Sequence, residues 1–422
     1  MLVRVIYTVI SFTFLFFLLT LVLGFWGRQI LGLFRIRKAG WGEPLTLAAG
    51  LGLAVFLAQA ASPLVSNFRN LWQAFYFIGL FGALAEAVRF YVRDVRLKEK
   101  RLKFLRQEAG RLHTLWASLI LAAVLSFAYS VIWPSGRLDI WADTSADFYS
   151  WIFASEYLAG GIKANVLDLN PSFQYTLQDA FGTLNIIGFA SQAYQRTPLL
   201  GSSHVLVTLL VWWGTAVFVL VRKCFGLRFR LSLLLALGLI LGWLPNYLSA
   251  FGMFGHLAAM TALVTALEQL IPEHKDDWPG PKLIRRLFFP LLVLFLSYQS
   301  GYLPGILVLI LFGSLQAFGQ AGSRSPAART GRALLQGIRP ILWLTLALAL
   351  IMPGSFYHLT ARLLENSARI SGWILPLFSP RIFSGLPYYP RDFYYHTHIT
   401  ETNQISFYFY IPFILIIFFL LY

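Results

Sequence analysis

Residues 201–221 read Gly201-Ser-Ser-His-Val-Leu-Val-Thr-Leu-Leu-Val-Trp-Trp-Gly-Thr-Ala-Val-Phe-Val-Leu-Val221, and Arg222-Lys223 follow at once. No Asp, Glu, Lys or Arg interrupts the run. A helix of about 20 residues spans the roughly 30 Å hydrocarbon core of a bilayer, and lipid offers backbone groups no hydrogen-bond partner. Such a run reads as a membrane helix. Working outward from it, eleven apolar blocks stand near residues 5–26, 44–64, 71–91, 114–133, 200–221, 231–248, 252–270, 287–300, 302–319, 340–357 and 405–422. The eighth and ninth are short and flank Gly301, so a re-entrant hairpin broken there is an alternative to two spans. The first block is too long for a cleaved signal peptide, and no small-residue cleavage site follows it. Composition agrees with this reading. Of 422 residues, 58% are hydrophobic, 17% aromatic and only 12% charged, with a mean hydropathy of +0.66, against about 25% charged in soluble domains. A disordered chain, a coiled coil and an ordinary soluble enzyme are excluded. The fold class predicted is an all-α polytopic membrane protein with eleven transmembrane helices. The lone cysteine, Cys224, cannot form an internal disulfide.

The formal net charge of +16 would suit nucleic acid, but its distribution argues otherwise. Five alternate connecting segments, 27–43, 92–112, 222–230, 271–286 and 320–339, hold 24 of the 34 Lys and Arg, and the segments between them hold nine. Arg89, at the end of a block, completes the count. This is the positive-inside pattern, which puts the basic segments in the cytoplasm and the N-terminus outside. No nucleic-acid reader motif accompanies the charge, so no nucleic-acid partner is expected. Residues 320–332 read as a flexible linker.

Two long segments fall on the outer side, 134–199 and 358–404, and loops of this length tend to be functional. They divide the chain into an N-terminal three-helix membrane region, residues 1–112, and a membrane domain, residues 113–422, that carries both loops. The first loop holds Asp139, Asp143, Asp147, Glu156, Asp168 and Asp179 against three basic residues. Its informative part runs Leu138-Asp139-Ile-Trp-Ala-Asp143-Thr-Ser-Ala-Asp147-Phe-Tyr149-Ser-Trp-Ile-Phe-Ala-Ser-Glu156-Tyr-Leu-Ala-Gly160-Gly161. Thr144 or Ser145 at the start and Gly160 at the end predict a helix over 144–160. Trp151, Phe153 and Tyr157 would let it lie in the membrane interface. Asp143 and Asp147 are four residues apart and share a face. Two like carboxylates repel, so the pair suits a shared cation, proton or hydroxyl. The plainer alternative is that Asp143 caps the helix and Asp147 is solvated.

This order of residues resembles the first outer loop of the GT-C glycosyltransferases, polytopic enzymes that use sugars carried on polyprenyl phosphate. In that family an acidic residue beyond a membrane helix is followed by Tyr, then Ala and Leu, then Gly. Asp143, Tyr149, Ala154, Leu158 and Gly160 fall into the same order, and Pro198-Leu199-Leu200 with His204 is similar to the Pro-Leu-His entry of the family's next helix. The resemblance covers roughly residues 113–320. Many family members carry adjacent acids, whereas here Thr-Ser-Ala separates them. Most have one span before the loop, whereas here there are four. The resemblance implies a bacterial inner-membrane enzyme moving a sugar from a polyprenyl-phosphate lipid to an acceptor on the outer side. Asp143 would be the general base, and Asp147 a second carboxylate. No cofactor is implied beyond a divalent metal that Asp143 and Asp147 would hold. Asp139 and Tyr149 would contact substrate.

Other residues extend this reading. Arg381 and Arg391 would meet the leaving phosphate, or anchor the outer interface. Tyr388, Tyr389, Tyr394 and Tyr395 would stack on sugar, or form an aromatic belt. His256 and Asn246, with Tyr298 and Gln299, flank neighbouring outer turns and would line the same cavity. Glu86 lies inside the third block, and Arg89 one turn on is its expected ion-pair partner. His396 and His398 are a weak metal pair. No Walker lysine loop or Gly-rich dinucleotide turn is present. The competing readings are a lipid-linked glycan polymerase or ligase, a non-catalytic subunit binding membrane protein partners, and a secondary transporter. The last is disfavoured because the polar residues gather outside rather than at mid-membrane. The topology makes a direct prediction: a cysteine at position 170 reacts with an impermeant thiol reagent applied from outside, and one at position 100 reacts only after permeabilisation. Labelling of position 100 from outside overturns the map.

Overall fold

An apolar run can satisfy its own backbone only as a helix where no water reaches it, and helices are what these runs form. The computed structural model describes residues 2–36, 40–62, 67–95, 101–132, 146–161, 181–241, 254–271, 281–297, 299–320 and 326–351. Among the described residues there are twelve helices and no strand: α1 (Leu2–Leu33), α2 (Pro44–Ala61), α3 (Phe68–Val95), α4 (Arg101–Ile132), α5 (Ala146–Leu158), α6 (Phe181–Ala193), α7 (Pro198–Phe225), α8 (Phe229–Ile240), α9 (Phe254–Gln269), α10 (Pro281–Ser297), α11 (Gln299–Gln320) and α12 (Pro326–Ile351). Ten of the eleven apolar blocks fall on helices, and the block at 405–422 lies outside the described residues. Among the described residues, five helices are long and apolar enough to cross a membrane: α1, α2, α3 over Phe68–Arg89, α4 over His113–Val131, and α7. α10 ends at Ser297, and α11 begins at Gln299 and runs through Gly301, so the eighth and ninth blocks lie on two helices whose boundary falls before that glycine.

The chain forms two compact units, Met1–Leu344 and Thr345–Tyr422. The described part of the second is the last turns of α12. In the first unit, α1, α2, α10, α9, α7 and α4 pack each on the next in a closed circuit, with α3 laid against α1 and α6. α7 is the most enclosed. Of its most apolar stretch 94% is buried, against 33% for α1 and 28% for α3. The outer helices present Ile6, Ile10 and Phe14 of α1, and Phe77, Ile78, Phe81 and Val88 of α3, as exposed apolar faces. Faces of this extent suit hydrocarbon rather than water. α1 and α2 cross closely, because a Cβ on Gly27 would strike the Thr46 carbonyl, the small-residue contact common between membrane helices.

The charged contacts gather at the end of the bundle where α7 finishes. Lys223 donates to the Glu268 carboxylate at 2.8 Å and Arg285 to the Phe34 carbonyl at 3.2 Å. Glu86 is paired with Arg28 of α1 at 2.9 Å. This replaces the expected local partner, Arg89, with a contact between helices. Arg28 also stands 4.8 Å over the Trp41 ring, so a weakly hydrated guanidinium is held from both sides. Removing one partner leaves a charge in an apolar setting, whereas removing both does not. Glu86→Met or Arg28→Met alone should therefore lower unfolding stability by about 1.5–3 kcal/mol, and the double substitution should recover most of the loss. Denaturant unfolding of the purified variants in detergent measures this, and additive single losses in the double variant would disprove the coupling.

Candidate functional site

The candidate site is built on α5 and α6, the two short helices packed where α7 begins. Helix α5 ends as its two glycines predict. Gly160 adopts φ +72, its N–H bonds to the Tyr157 carbonyl at 2.9 Å, and the Gly161 N–H reaches the Glu156 carbonyl at 3.0 Å. That pair of bonds is the Schellman termination, which favours glycine because a side chain strains the left-handed backbone. The helix over Ala146–Leu158 agrees with the predicted 144–160. The expected caps, Thr144 and Ser145, lie outside the described residues.

Helix α5 is wedged into the protein. Ile152, Ala154, Ser155 and Leu158 are buried, and Phe153 is exposed. Trp151 is half-buried, and its ring packs against α9. A Cβ on Gly255 of α9 would lie 2.6 Å from the Trp151 ring and 2.8 Å from the Ser297 carbonyl of α10, so the indole closes onto bare backbone. Two buried polar bonds complete the docking. Ser155 Oγ donates to the Leu184 carbonyl of α6 at 2.9 Å. The Leu199 N–H in the first turn of α7 donates to Glu156 Oε1 at 3.0 Å.

The start of α7 explains the second bond. Thr197 is the N-cap, its side chain accepting from the Leu200 N–H, and Pro198 follows at the first helical position, where its missing N–H does no harm. The Leu199 N–H still needs an acceptor, and the Glu156 carboxylate supplies one at the positive end of the helix dipole. Helix α6 is held as firmly. Thr183 Oγ1 donates to the Ser297 carbonyl, and Trp72 Nε1 of α3 donates to Asn185 Oδ1 at 3.0 Å. Beyond α6, Tyr194 hydrogen-bonds with Thr208 of α7 and stacks on Phe12 of α1 with ring centres 5.5 Å apart. Burial raises the phenol pKa, so it stays protonated.

The predicted site residues fall as follows. Asp139, Asp143, Tyr388, Arg381 and Arg391 lie outside the described residues, as do His396 and His398. Asp147 and Tyr149 occupy the first turn of α5, with Asp147 one helical turn before Trp151. His256 is half-buried on α9, next to the Gly255 that Trp151 touches. Trp151 therefore brings the middle of α5 against the start of α9. Glu156 is the residue that sequence reasoning passed over. In the sequence it is one of six loop acids, and the signal that an acceptor is needed sits 43 residues away, in Thr197-Pro198-Leu199. Among the described residues no three His, Cys, Asp or Glu side chains group as a metal site. No family model matches the chain, and no curated protein or solved structure matches it.

The Trp151–Gly255 contact is directly testable. Gly255→Ala inserts a methyl group into a filled space, and overpacking of this kind costs about 1–3 kcal/mol. The variant should unfold at lower temperature in detergent, with Trp151 fluorescence shifted to the red. A variant with the wild-type midpoint and spectrum would show that the indole does not close on α9.

Proposed function

We propose that the chain is a polytopic membrane glycosyltransferase of the GT-C type. It would have eleven membrane helices in a bacterial inner membrane, with its N-terminus and both long loops outside. One observation carries this reading: Tyr149, Ala154 and Leu158, three of the residues in the family's order, sit on a short helix that follows α4 in the chain, ends at Gly160-Gly161 and docks on the helix opened by Pro198-Leu199-Leu200. Several of those positions have physical roles here. Ala154 is fully buried, Gly160 takes the left-handed conformation, and Leu199 receives the anchor from α5.

The reaction moves a sugar from phosphate to an acceptor hydroxyl. Asp143 takes the hydroxyl proton as the oxygen attacks the anomeric carbon. The bond from that carbon to the phosphate oxygen breaks, and the electron pair leaves on the polyprenyl phosphate. Arg381 and Arg391 offset the phosphate charge through bidentate hydrogen bonds. A divalent cation held by Asp143 and Asp147 would supply further positive charge there. Asp139, Tyr149, Tyr388 and His256 are the substrate contacts in this scheme, and the donor reaches the site from the surrounding lipid.

Asp143→Asn keeps the shape of the side chain and removes its capacity to accept the proton. Turnover of polyprenyl-phosphate sugar by the purified, reconstituted variant should fall by about 10²–10⁴, with expression and thermal unfolding like those of wild type. Wild-type turnover in the variant would reduce Asp143 to a helix cap. Wild-type protein inactive with every donor would instead favour the non-catalytic subunit reading.

A further inference from the structure

We infer that Glu156 is a positioning residue, and that its carboxylate fixes α5, and with it the first turn that carries Asp147, against the first turn of α7. The inference rests on the transferase reading for what is positioned, but not for the anchoring itself. Glu156 is 9% exposed although it is an acid in a loop segment. Its Oε1 accepts the Leu199 N–H at 3.0 Å, and its Oε2 lies where a Cβ on Gly161 would approach to 2.8 Å. The carboxylate is thus enclosed between the end of its own helix and the start of another. Other contacts that hold α5 include Ser155 on the Leu184 carbonyl of α6 and Trp151 on Gly255 of α9. The Glu156 bond reaches the start of α7, tying one carboxylate oxygen to the Leu199 N–H. Asp147 lies nine residues upstream on the same helix. A helix is stiff over that length, so an error at Glu156 is carried to the start of α5, and misplacement by about 1 Å can cost on the order of 10²-fold in rate.

The required property is reach with an acceptor, not negative charge. Gln retains an oxygen at the same distance, whereas Asp retains the charge but is one methylene too short. Three variants of the full chain, Glu156→Gln, Glu156→Asp and Glu156→Ala, are reconstituted in lipid vesicles. Hydrogen exchange is read at the Leu199 amide and at the amides of 152–161, and turnover is assayed with synthetic polyprenyl-phosphate glucose, mannose and N-acetylglucosamine. Glu156→Ala and Glu156→Asp should raise exchange at both places by about tenfold or more, while the amides of α1 and α4 stay protected. In the same two variants kcat should fall at least tenfold with KM little changed, and Glu156→Gln should stay close to wild type in both measurements. Wild-type exchange in Glu156→Ala overturns the anchor. Full activity in Glu156→Asp with loss in Glu156→Gln overturns it too, since the charge and not the reach would then matter. If wild-type protein turns over none of the donors, the transferase reading fails while the exchange data still decide the anchor.

Discussion

The structure depends on burying most of α7. It is a helix of 28 residues, buried throughout residues 201–218, so its polar groups depend on partners within the helix or on a neighbour. His204 Nδ1, Trp212 Nε1 and Trp213 Nε1 are its buried atoms that have none among the described residues. Its hydroxyls are satisfied from within. Thr208 and Thr215 donate to the carbonyls of His204 and Val211, each at 2.8 Å, the local back-bonding that lets threonine sit in an apolar helix. Its ends cannot be satisfied that way, because the first N–H groups and last carbonyls of any helix lack partners. At the start Thr197 and Glu156 supply acceptors. At the finish Gly226 turns the chain with φ 60, its N–H bonding to the Arg222 carbonyl, and Lys223 reaches across to Glu268. The two ends explain why α5 and α9 lie where they do. Each brings a carboxylate that an end of α7 requires.

The contrast between these carboxylates follows the helix dipole. Glu156 faces the N-terminal end of α7, where partial positive charge favours an anion directly. Glu268 lies at the C-terminal ends of both α7 and α9, where the dipoles oppose it. There it is balanced by Lys223, which also donates to the Glu268 carbonyl at 3.0 Å. The Arg28–Glu86 pair is at this same end, as are Arg35, Arg222 and Arg285. One end of the first unit thus carries acids neutralised by basic side chains, and the other carries an acid neutralised by backbone. The basic end is built from the segments that the sequence marks as rich in Lys and Arg.

What was legible in the sequence was whatever the chain decides locally. Apolar length identified ten of the helices, and Gly160-Gly161 identified the end of α5, because helix formation and helix termination depend on residues within one or two turns. The misreadings concern choices made by distant residues. Arg89 looked like the partner of Glu86 because sequence shows only neighbours along a helix, and the crossing of α1 over α3 brought Arg28 closer. The contact that Trp151 makes was not readable, because the bare backbone at Gly255 that its ring meets stands more than one hundred residues away. Gly301 looked like a break, yet glycine is tolerated in a helix packed against neighbours, and α11 passes through it. Of the candidate site, the scaffold was legible in part and the anchor was not, since the need of α7 for an acceptor and the acid that meets it are written in separate segments.

The same geometry separates the acids of the first loop by what they are already doing. An oxygen that already accepts a backbone N–H, on a carboxylate that is buried, is poorly placed to take a proton from a sugar hydroxyl. Glu156 is therefore unsuited to be the base of a transfer reaction, although it is an acid in the right segment. Under the transferase reading the base must come from acids that α5 does not use to hold itself in place, which directs attention to the residues at and before its first turn. Asp143 and Asp147 are the acids to which that reading assigns the role. A helix anchored at its far end by a backbone-bound carboxylate, and packed midway through a tryptophan on a glycine, carries its first turn, and Asp147 with it, on a fixed axis.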